Sequence, residues 1–378
     1  MTAEIARYVM IGGFLGAGKT TAIDRFAQSM TDRGVRVGLI TNDQSSGLVD
    51  TTILRSHGFA VEEITGGCFC CRFDSLQHAA DELTQKSRPE VFLAEPVGSC
   101  TDLVATVSYP LRRIYGDRFR IAPLSVLVDP VRAARVLGLA EGRSFSPKVV
   151  YVYRKQLEEA DIIVVNKIDE LEEGMQKKLV GALEREFPGA AVVCVSAKDG
   201  TGLEAWFDRV LDGDVEVRPT MAIDYDEYAE GEALLGWLNA TIEVSTDAPF
   251  DGNAMLVRLA SAIRERVAAA DGEIAHLKMT LDCRGQLSVV SVVDNHDEPD
   301  LRESLLDEID GGALVLNLRA ELCPESLSSI VADVLAAENR LGSGPNLLLE
   351  HEERFRPARP VPTHRDSQPA SSPPPNPK

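Results

Sequence analysis

From residue 7 to about residue 212, short apolar runs rich in β-branched residues alternate with stretches of helical period. The runs are Tyr8–Gly12, Val35–Thr41, Ala60–Ile64, Val91–Ala94, Leu124–Val128, Ile162–Val165 and Ala191–Val195. Most are continuous rather than alternating, which is how strands buried on both faces of a parallel sheet read. Between the first two, Thr20–Arg33 places Ala22, Ile23, Phe26, Ala27 and Met30 on one stripe of a helix. Strand–helix alternation of this kind predicts an α/β domain with a doubly wound, mostly parallel sheet.

The period changes after residue 233. Residues 213–233 are acidic and irregular and read as a linker. Strands are predicted at Leu238–Ser245, Ile274–Asp282, Gln286–Val293 and Ala313–Ala320, and helices at Ala254–Ala270, Leu301–Ile309 and Glu325–Arg340. That order, βαββαβ and then a helix, predicts a smaller ferredoxin-like α+β domain. From Leu341 the chain holds 9 of its 20 prolines and ends in SSPPPNPK, so residues 341–378 are expected to be a disordered tail. The predicted layout is a nucleotide-binding domain over 1–212, a linker over 213–233, an α+β domain over 234–340 and a tail over 341–378.

Composition narrows the function. The charge balance is 39 Lys+Arg against 59 Asp+Glu, a net −20 in 378 residues. A body this acidic does not grip polyanions, so neither nucleic acid nor an anionic membrane surface is an expected partner. No apolar run approaches the ~18 residues of a membrane-spanning helix. The N-terminal apolar run leads straight into a glycine loop, so no signal peptide is read there. Seven cysteines in a chain of this size form no disulfide framework, and a cytoplasmic location is expected.

The strongest motif is Gly13-Phe14-Leu15-Gly16-Ala17-Gly18-Lys19-Thr20, with a predicted strand before it and a helix after it. It fits the P-loop pattern in the context that the pattern needs. The glycines let backbone N–H groups crowd around phosphate oxygens at a helix N-terminus. Lys19 reaches the β- and γ-phosphates, and the Thr20 hydroxyl suits Mg²⁺.

Asn166-Lys167-Ile168-Asp169 follows a buried run. A carboxylate at Asp169 accepts two hydrogen bonds from the guanine edge, a pairing that adenine does not offer. Ser196-Ala197-Lys198, one strand later, is placed to give a backbone N–H to guanine O6. Asp43 and Glu95 end two further strands, where open α/β sheets bind ligands, and are candidates to complete a Mg²⁺ site.

Gly66-Gly67-Cys68-Phe69-Cys70-Cys71 is a different chemistry. Three thiolates on one glycine-led turn can converge on a soft or borderline metal ion and leave one tetrahedral position open. Buried apolar cysteines and a closed structural zinc site are the alternatives. Cys100 is the nearest other thiol in sequence but is not singled out as a ligand. Cys194, Cys283 and Cys323 read as packing or loop residues, and the six histidines are scattered.

In combination, GGFLGAGKTT, an acidic loop after the second strand, GGCFCC, Glu95-Pro96-Val97-Gly98 and NKID resemble the CobW-type (CobW/HypB/UreG-like) P-loop GTPases. The stretch YAEGEALLGWLNATIEV is similar to the family's lead-in to its C-terminal domain. The likeness covers roughly residues 7–340. It implies a GTPase and metallochaperone whose nucleotide state is coupled to a metal at the C-x-C-C loop, with zinc or cobalt the expected ion. Carried over, Gly13, Gly16, Ala17, Gly18, Lys19, Thr20 and Thr21 hold phosphate, and Thr20, Asp43 and Glu95 serve Mg²⁺. Lys19 and Glu95 act in hydrolysis. Asn166, Lys167, Asp169, Ser196 and Ala197 hold guanine, and Cys68, Cys70 and Cys71 hold the metal. The implied partners are GTP, a transition-metal ion and an unidentified client metalloprotein, with a homodimer left open.

The chain departs from the family in two places. The stretch Asn42–Gly47 carries one acid where relatives usually carry two glutamates. A histidine-rich metal-buffering stretch is missing, which argues against storage. Two other readings stay open: a GTP-dependent regulator with a permanent structural zinc, and a P-loop kinase of a small molecule.

Overall fold

Eight strands form the first sheet of the computed structural model, which describes residues 5–43, 49–213, 219–341 and 344–368. They are β1 (Ala6–Gly13), β2 (Val37–Asn42), β3 (Val61–Ile64), β4 (Val91–Glu95), β5 (Phe119–Ile121), β6 (Ser125–Val128), β7 (Ile162–Val165) and β8 (Ala191–Cys194). Their order is β3-β2-β4-β1-β6-β7-β8, with β5 also paired to β1, and every pairing is parallel.

The continuous apolar runs have the physical cause expected of them. Tyr8 and Met10 of β1, and Ile163 and Val165 of β7, enter one core layer. Their neighbours Val9, Ile11, Ile162 and Val164 enter the other. The helices Lys19–Asp32 and Leu203–Asp212 close the second layer through Phe26, Trp206 and Phe207. The helices Phe73–Ser87 and Pro147–Glu159 close the first through Leu76, Leu83, Tyr153 and Leu157. A parallel sheet puts all its strand C-termini on one edge, so the loops after β1, β2, β3, β4, β7 and β8 gather there.

The second sheet is antiparallel. It contains β9 (Gly236–Phe250), β10 (Ile274–Cys283), β11 (Gln286–Val292), β12 (Asp300–Glu303), β13 (Ile309–Ala320) and β14 (Asn346–Phe355), in the order β12-β11-β10-β13-β9-β14. The helices Gly252–Ala269 and Pro324–Asn339 pack on one face over Leu277, Met279, Leu316 and Leu318. The arrangement is ferredoxin-like, but its members differ from those predicted. β9, β10, β13 and β14 are the four strands of the motif, and β11–β12 is an inserted extension.

Three expectations are corrected. The helix predicted at Leu301–Ile309 is instead the strand β12 followed by irregular chain. Its apolar spacing is real, but Leu305 and Ile309 are buried while Leu306 is exposed, and two anchors four residues apart do not require a helix.

The tail expected over 341–378 contains β14, which pairs with β9 and sends Leu347 into the second core. The reason is that Asn346–Phe355 lacks proline, and it satisfies the backbone groups of what would otherwise be an edge strand. The terminal SSPPPNPK lies outside the described residues.

The expected linker ends in a helix, Tyr225–Leu234. Gly231 passes so close to the helix Pro147–Glu159 that a Cβ there would stand 2.4 Å from the Lys148 carbonyl oxygen. No helix among the described residues is long and apolar enough to cross a membrane.

Candidate functional site

The loop after β1 is shaped by its glycines. Gly13 has φ +130°, and a Cβ there would lie 2.3 Å from the Leu127 carbonyl oxygen; Gly18 has φ +88°, with the Asn166 amide 2.4 Å from its would-be Cβ. Left-handed backbone and close approach both require glycine at these positions. The helix Lys19–Asp32 starts immediately behind and aims its N-terminus into the loop.

Lys19 Nζ donates to the Phe14 carbonyl at 3.3 Å and lies 4.0 Å from Glu95 Oε1. The Thr20 hydroxyl donates to the same Glu95 oxygen at 3.2 Å. The loop lysine, the threonine hydroxyl and the carboxylate at the end of β4 therefore converge. Asp43 lines the same cavity, but its carboxylate is paired with Arg319 at 3.3 Å. Gln44, Ser45, Ser46 and Gly47 lie outside the described residues.

A second cavity adjoins the first at Gly18 and Thr21 and is lined by Asn166, Lys167, Asp169 and Ala197. Asn166 is its tie. Its amide donates to the Ala17 carbonyl at 2.9 Å, and its oxygen accepts the Ala197 N–H at 2.9 Å. The Ser196 N–H is used by the Thr201 carbonyl, so the N–H groups of Ser196 and Ala197 both already have partners inside the protein. Lys167 Nζ pairs with Asp129 Oδ2 at 2.7 Å. Burial drives the Asp129 carboxyl up, and the Lys167 and Arg132 charges outweigh that and hold it below its ordinary value.

Sequence reasoning missed what covers both cavities. The face of the second sheet opposite its helices presents His276, Lys278, Arg302, Asn317 and Arg319 to the phosphate loop. Arg302 donates to the Thr21 hydroxyl at 2.9 Å. Lys278 and Arg319 are buried, and the Arg319 guanidinium stacks 4.1 Å from the Trp237 ring centroid. The available signal was strand alternation in β10 and β13.

The thiols of Cys68, Cys70 and Cys71 lie within 4.8 Å of one another. Cys68 Sγ is 2.8 Å from Cys70 Sγ and 3.3 Å from Cys71 Sγ. Hydrogen bonds from Cys100, then Cys70 and Cys71, hold Cys68 well below the usual thiol range. Cys71 is pushed up to about 11, first by its hydrogen bond to Cys68. That donor set suits a soft or borderline ion.

Two features tie this cluster to its surroundings. Asn42, at the end of β2 and in the phosphate cavity, donates to the Ile64 carbonyl at 3.0 Å and the Gly67 carbonyl at 2.8 Å, just before Cys68. A strap after β14 crosses the cluster. The Val361 N–H meets Cys71 Sγ at 3.2 Å, the Thr363 N–H meets the Cys70 carbonyl at 2.8 Å, and the His364 ring packs edge-on against Phe73.

Residues 7–193 match the CobW/HypB/UreG nucleotide-binding domain. A zinc chaperone YeiR of Escherichia coli is 29% identical over 180 residues, covering 46% of this chain and 51% of that protein. A zinc chaperone CobW of Sinorhizobium is 30% identical over 181 residues, covering 42% of this chain and 50% of that protein. The chain thus spans about half the length of these two curated relatives. Among solved structures, the Zn(II)-bound YjiA GTPase of E. coli is 16% identical, with 87% of this chain and 99% of that chain covered and a TM-score of 0.36.

Proposed function

We propose, from the premise that residues 7–193 are a CobW/HypB/UreG-family nucleotide-binding domain, that the protein is a GTP-hydrolysing metallochaperone. It binds a transition metal, zinc or cobalt, at Cys68, Cys70 and Cys71 and couples transfer of that ion to GTP hydrolysis. The observation that carries the coupling is Asn42, which stands in the phosphate cavity and holds the backbone of the cysteine turn through two hydrogen bonds.

In this reading Lys19 neutralises charge on the transferring phosphoryl group, and the backbone N–H groups of Gly16 to Thr20 cradle its oxygens. Asp169 accepts the guanine donors, and Asn166 locks the base loop to the phosphate loop. Glu95 is buried next to Thr20 and Lys19, so it is positioned to respond to a γ-phosphate and to orient water. The oxygens of Thr20 and Glu95 already converge, which fits a hard cation. Thr20 and Glu95 would hold Mg²⁺, with Asp43 joining once it leaves Arg319, and bound Mg²⁺ would neutralise phosphate charge.

The metal is cargo, and its thiols must give up protons to hold it. Ordering by the γ-phosphate favours one arrangement of the β2 and β3 loops, and hydrolysis releases it.

The test is a competition titration of Zn²⁺ and Co²⁺ against a chromophoric chelator, with a non-hydrolysable GTP analogue and with GDP. The expected outcome is binding at about 1:1, with affinity differing between the two states by about 5- to 150-fold. Equal affinity in both states would leave a GTP-dependent regulator with a permanent zinc as the better account.

A further inference from the structure

Among the described residues, three line both the phosphate cavity and the base cavity: Gly18, Thr21 and Arg302. Gly18 and Thr21 belong to the phosphate loop and the helix behind it. Arg302 comes from the second sheet, and it alone of the three carries charge.

The strand that carries Arg302 sets its aim. β12 pairs with β11 through Asp300–Ser291 and Leu301–Val290, and the next pair is Glu303–Val289. The register slips by one residue there, and Arg302 is the residue left over. A bulge of this kind re-aims a side chain and recurs beside active sites. The guanidinium is then held from two sides. One Nη donates to the Thr21 hydroxyl at 2.9 Å, and Nε donates to the Asp300 carboxylate at 3.1 Å. The Arg302 side chain is 28% exposed, so it stays open to a ligand. Arg25, the other arginine beside the base cavity, is turned to the carbonyls of Ala197 and Lys198 at 3.3 and 2.9 Å.

A guanine nucleotide laid across the site has its base at Asp169 and its β- and γ-phosphates at Lys19. The ribose and the α-phosphate span the junction between them. The ribose is neutral, the α-phosphate is an anion, and a guanidinium is matched to the anion. We propose that Arg302 is a nucleotide-binding residue supplied by the second domain, its guanidinium donating to a non-bridging oxygen of the α-phosphate. This rests on the reading of the two cavities as a guanine-nucleotide site and deepens it. GTP and GDP both carry that phosphate, so Arg302 holds the second sheet to the nucleotide before and after hydrolysis. The contacts that change lie at the Lys19 and Glu95 end.

The experiment measures binding of a non-hydrolysable GTP analogue, GDP, and the Rp and Sp forms of guanosine 5′-(α-thio)diphosphate to the full chain. Each form of the thio analogue puts sulfur at one of the two non-bridging α-oxygens. Arg302→Ala should weaken the GTP analogue and GDP by the same factor, about 10- to 100-fold. The parent should prefer one diastereomer, and Arg302→Ala should narrow that preference. Arg302→Gln keeps a donor for Thr21 and loses the charge, so it should show the same losses, and it carries the test if alanine disturbs the fold. Arg284→Ala, on the turn between β10 and β11 with its side chain 80% exposed, should match the parent. Urea unfolding without nucleotide reports whether each variant is folded.

Affinities within about twofold of the parent in both Arg302 variants overturn the assignment and leave the guanine-nucleotide site standing. A loss confined to the GTP analogue would move Arg302 to the γ-phosphate. An equal loss with an unchanged diastereomer ratio would make it a ribose contact or a support of the fold. Either result overturns the α-phosphate assignment. A parent that binds neither nucleotide overturns the guanine-nucleotide reading and this assignment with it.

Discussion

Replacing Arg365 by alanine tests whether the strap after β14 is part of the folded body. Arg365 reaches Asp102 with Nε to Oδ2 at 2.8 Å and Nη2 to Oδ1 at 3.4 Å. The Asp102 side chain is 1% exposed and that of Arg365 is 35% exposed. Removing one partner of a fully buried pair costs about 3–5 kcal/mol, because the other charge stays buried. Here the guanidinium is about a third exposed, and the Tyr225 hydroxyl still donates to Asp102 at 2.7 Å. Solvent screening and that surviving hydrogen bond lower the expected loss to about 1–3 kcal/mol.

Urea unfolding of the full chain measures that loss. Arg359→Ala supplies the contrast, since its pair with Asp226 has side chains 55% and 80% exposed and is expected to cost less than about 1 kcal/mol. The strap also places the Val361 N–H on Cys71, so Arg365→Ala should speed the reaction of Cys71 with a thiol reagent. An unfolding free energy within about 0.5 kcal/mol of the parent, together with an unchanged thiol rate, would refute the docked strap.

Asp169→Asn should weaken GTP and favour xanthosine nucleotides, whose 2-oxo group pairs better with an amide; equal GTP and ATP affinity in the parent would refute guanine recognition by this loop. Glu159 lies fully buried, and burial raises its carboxyl from 4.5 to about 8, so the unfolded chain gives up this proton first and stability is lost as pH rises from about 4.5 to about 8. Glu159→Gln should flatten that limb by a few kcal/mol, on the order of 3–5 at most, in unfolding titrations at pH 5 and pH 8; identical pH slopes in parent and variant would refute it.

What was legible in the sequence is what is local in the chain. The P-loop, the NKID loop and the C-x-C-C turn each carry their chemistry within four to eight residues, and the continuous runs of β1, β6 and β7 announce a sheet covered on both faces. What stayed hidden depends on pairing over long separations. On β10, His276, Lys278 and Thr280 alternate with Leu277, Met279 and Leu281, which by itself reads as one solvated face. That face is covered instead: Lys278 is opposite Asn317 and His276 is opposite Arg319 on β13, and Lys278, Asn317 and Arg319 are buried over the phosphate loop. β14 escaped notice because the prolines around it dominate the composition, although its own ten residues contain none.

The geometry also bounds how strongly the two sites can speak to each other. A nucleotide shifts an arrangement only by the difference in its contacts between the two states. Asn42 makes two hydrogen bonds to the turn ahead of Cys68, and a hydrogen bond contributes about 0.5–1.5 kcal/mol net. Making both in one state and neither in the other supplies about 1–3 kcal/mol, the usual range of coupling energies between sites. Asp43 is the next residue, its N–H bonds the Ile64 carbonyl at 3.1 Å, and its carboxylate pairs with Arg319 of the second sheet. Recruiting Asp43 toward a bound cation therefore loosens the second sheet's hold on the β2 loop at the same moment that it tightens the phosphate site. Because linkage is reciprocal, an ion on the thiols must shift the affinity for GTP over GDP by the same factor. Loading the cysteines with metal and measuring nucleotide preference is thus a second route to the same number, and an Asn42→Ala variant that leaves that number unchanged would mean that the sites are not joined through Asn42.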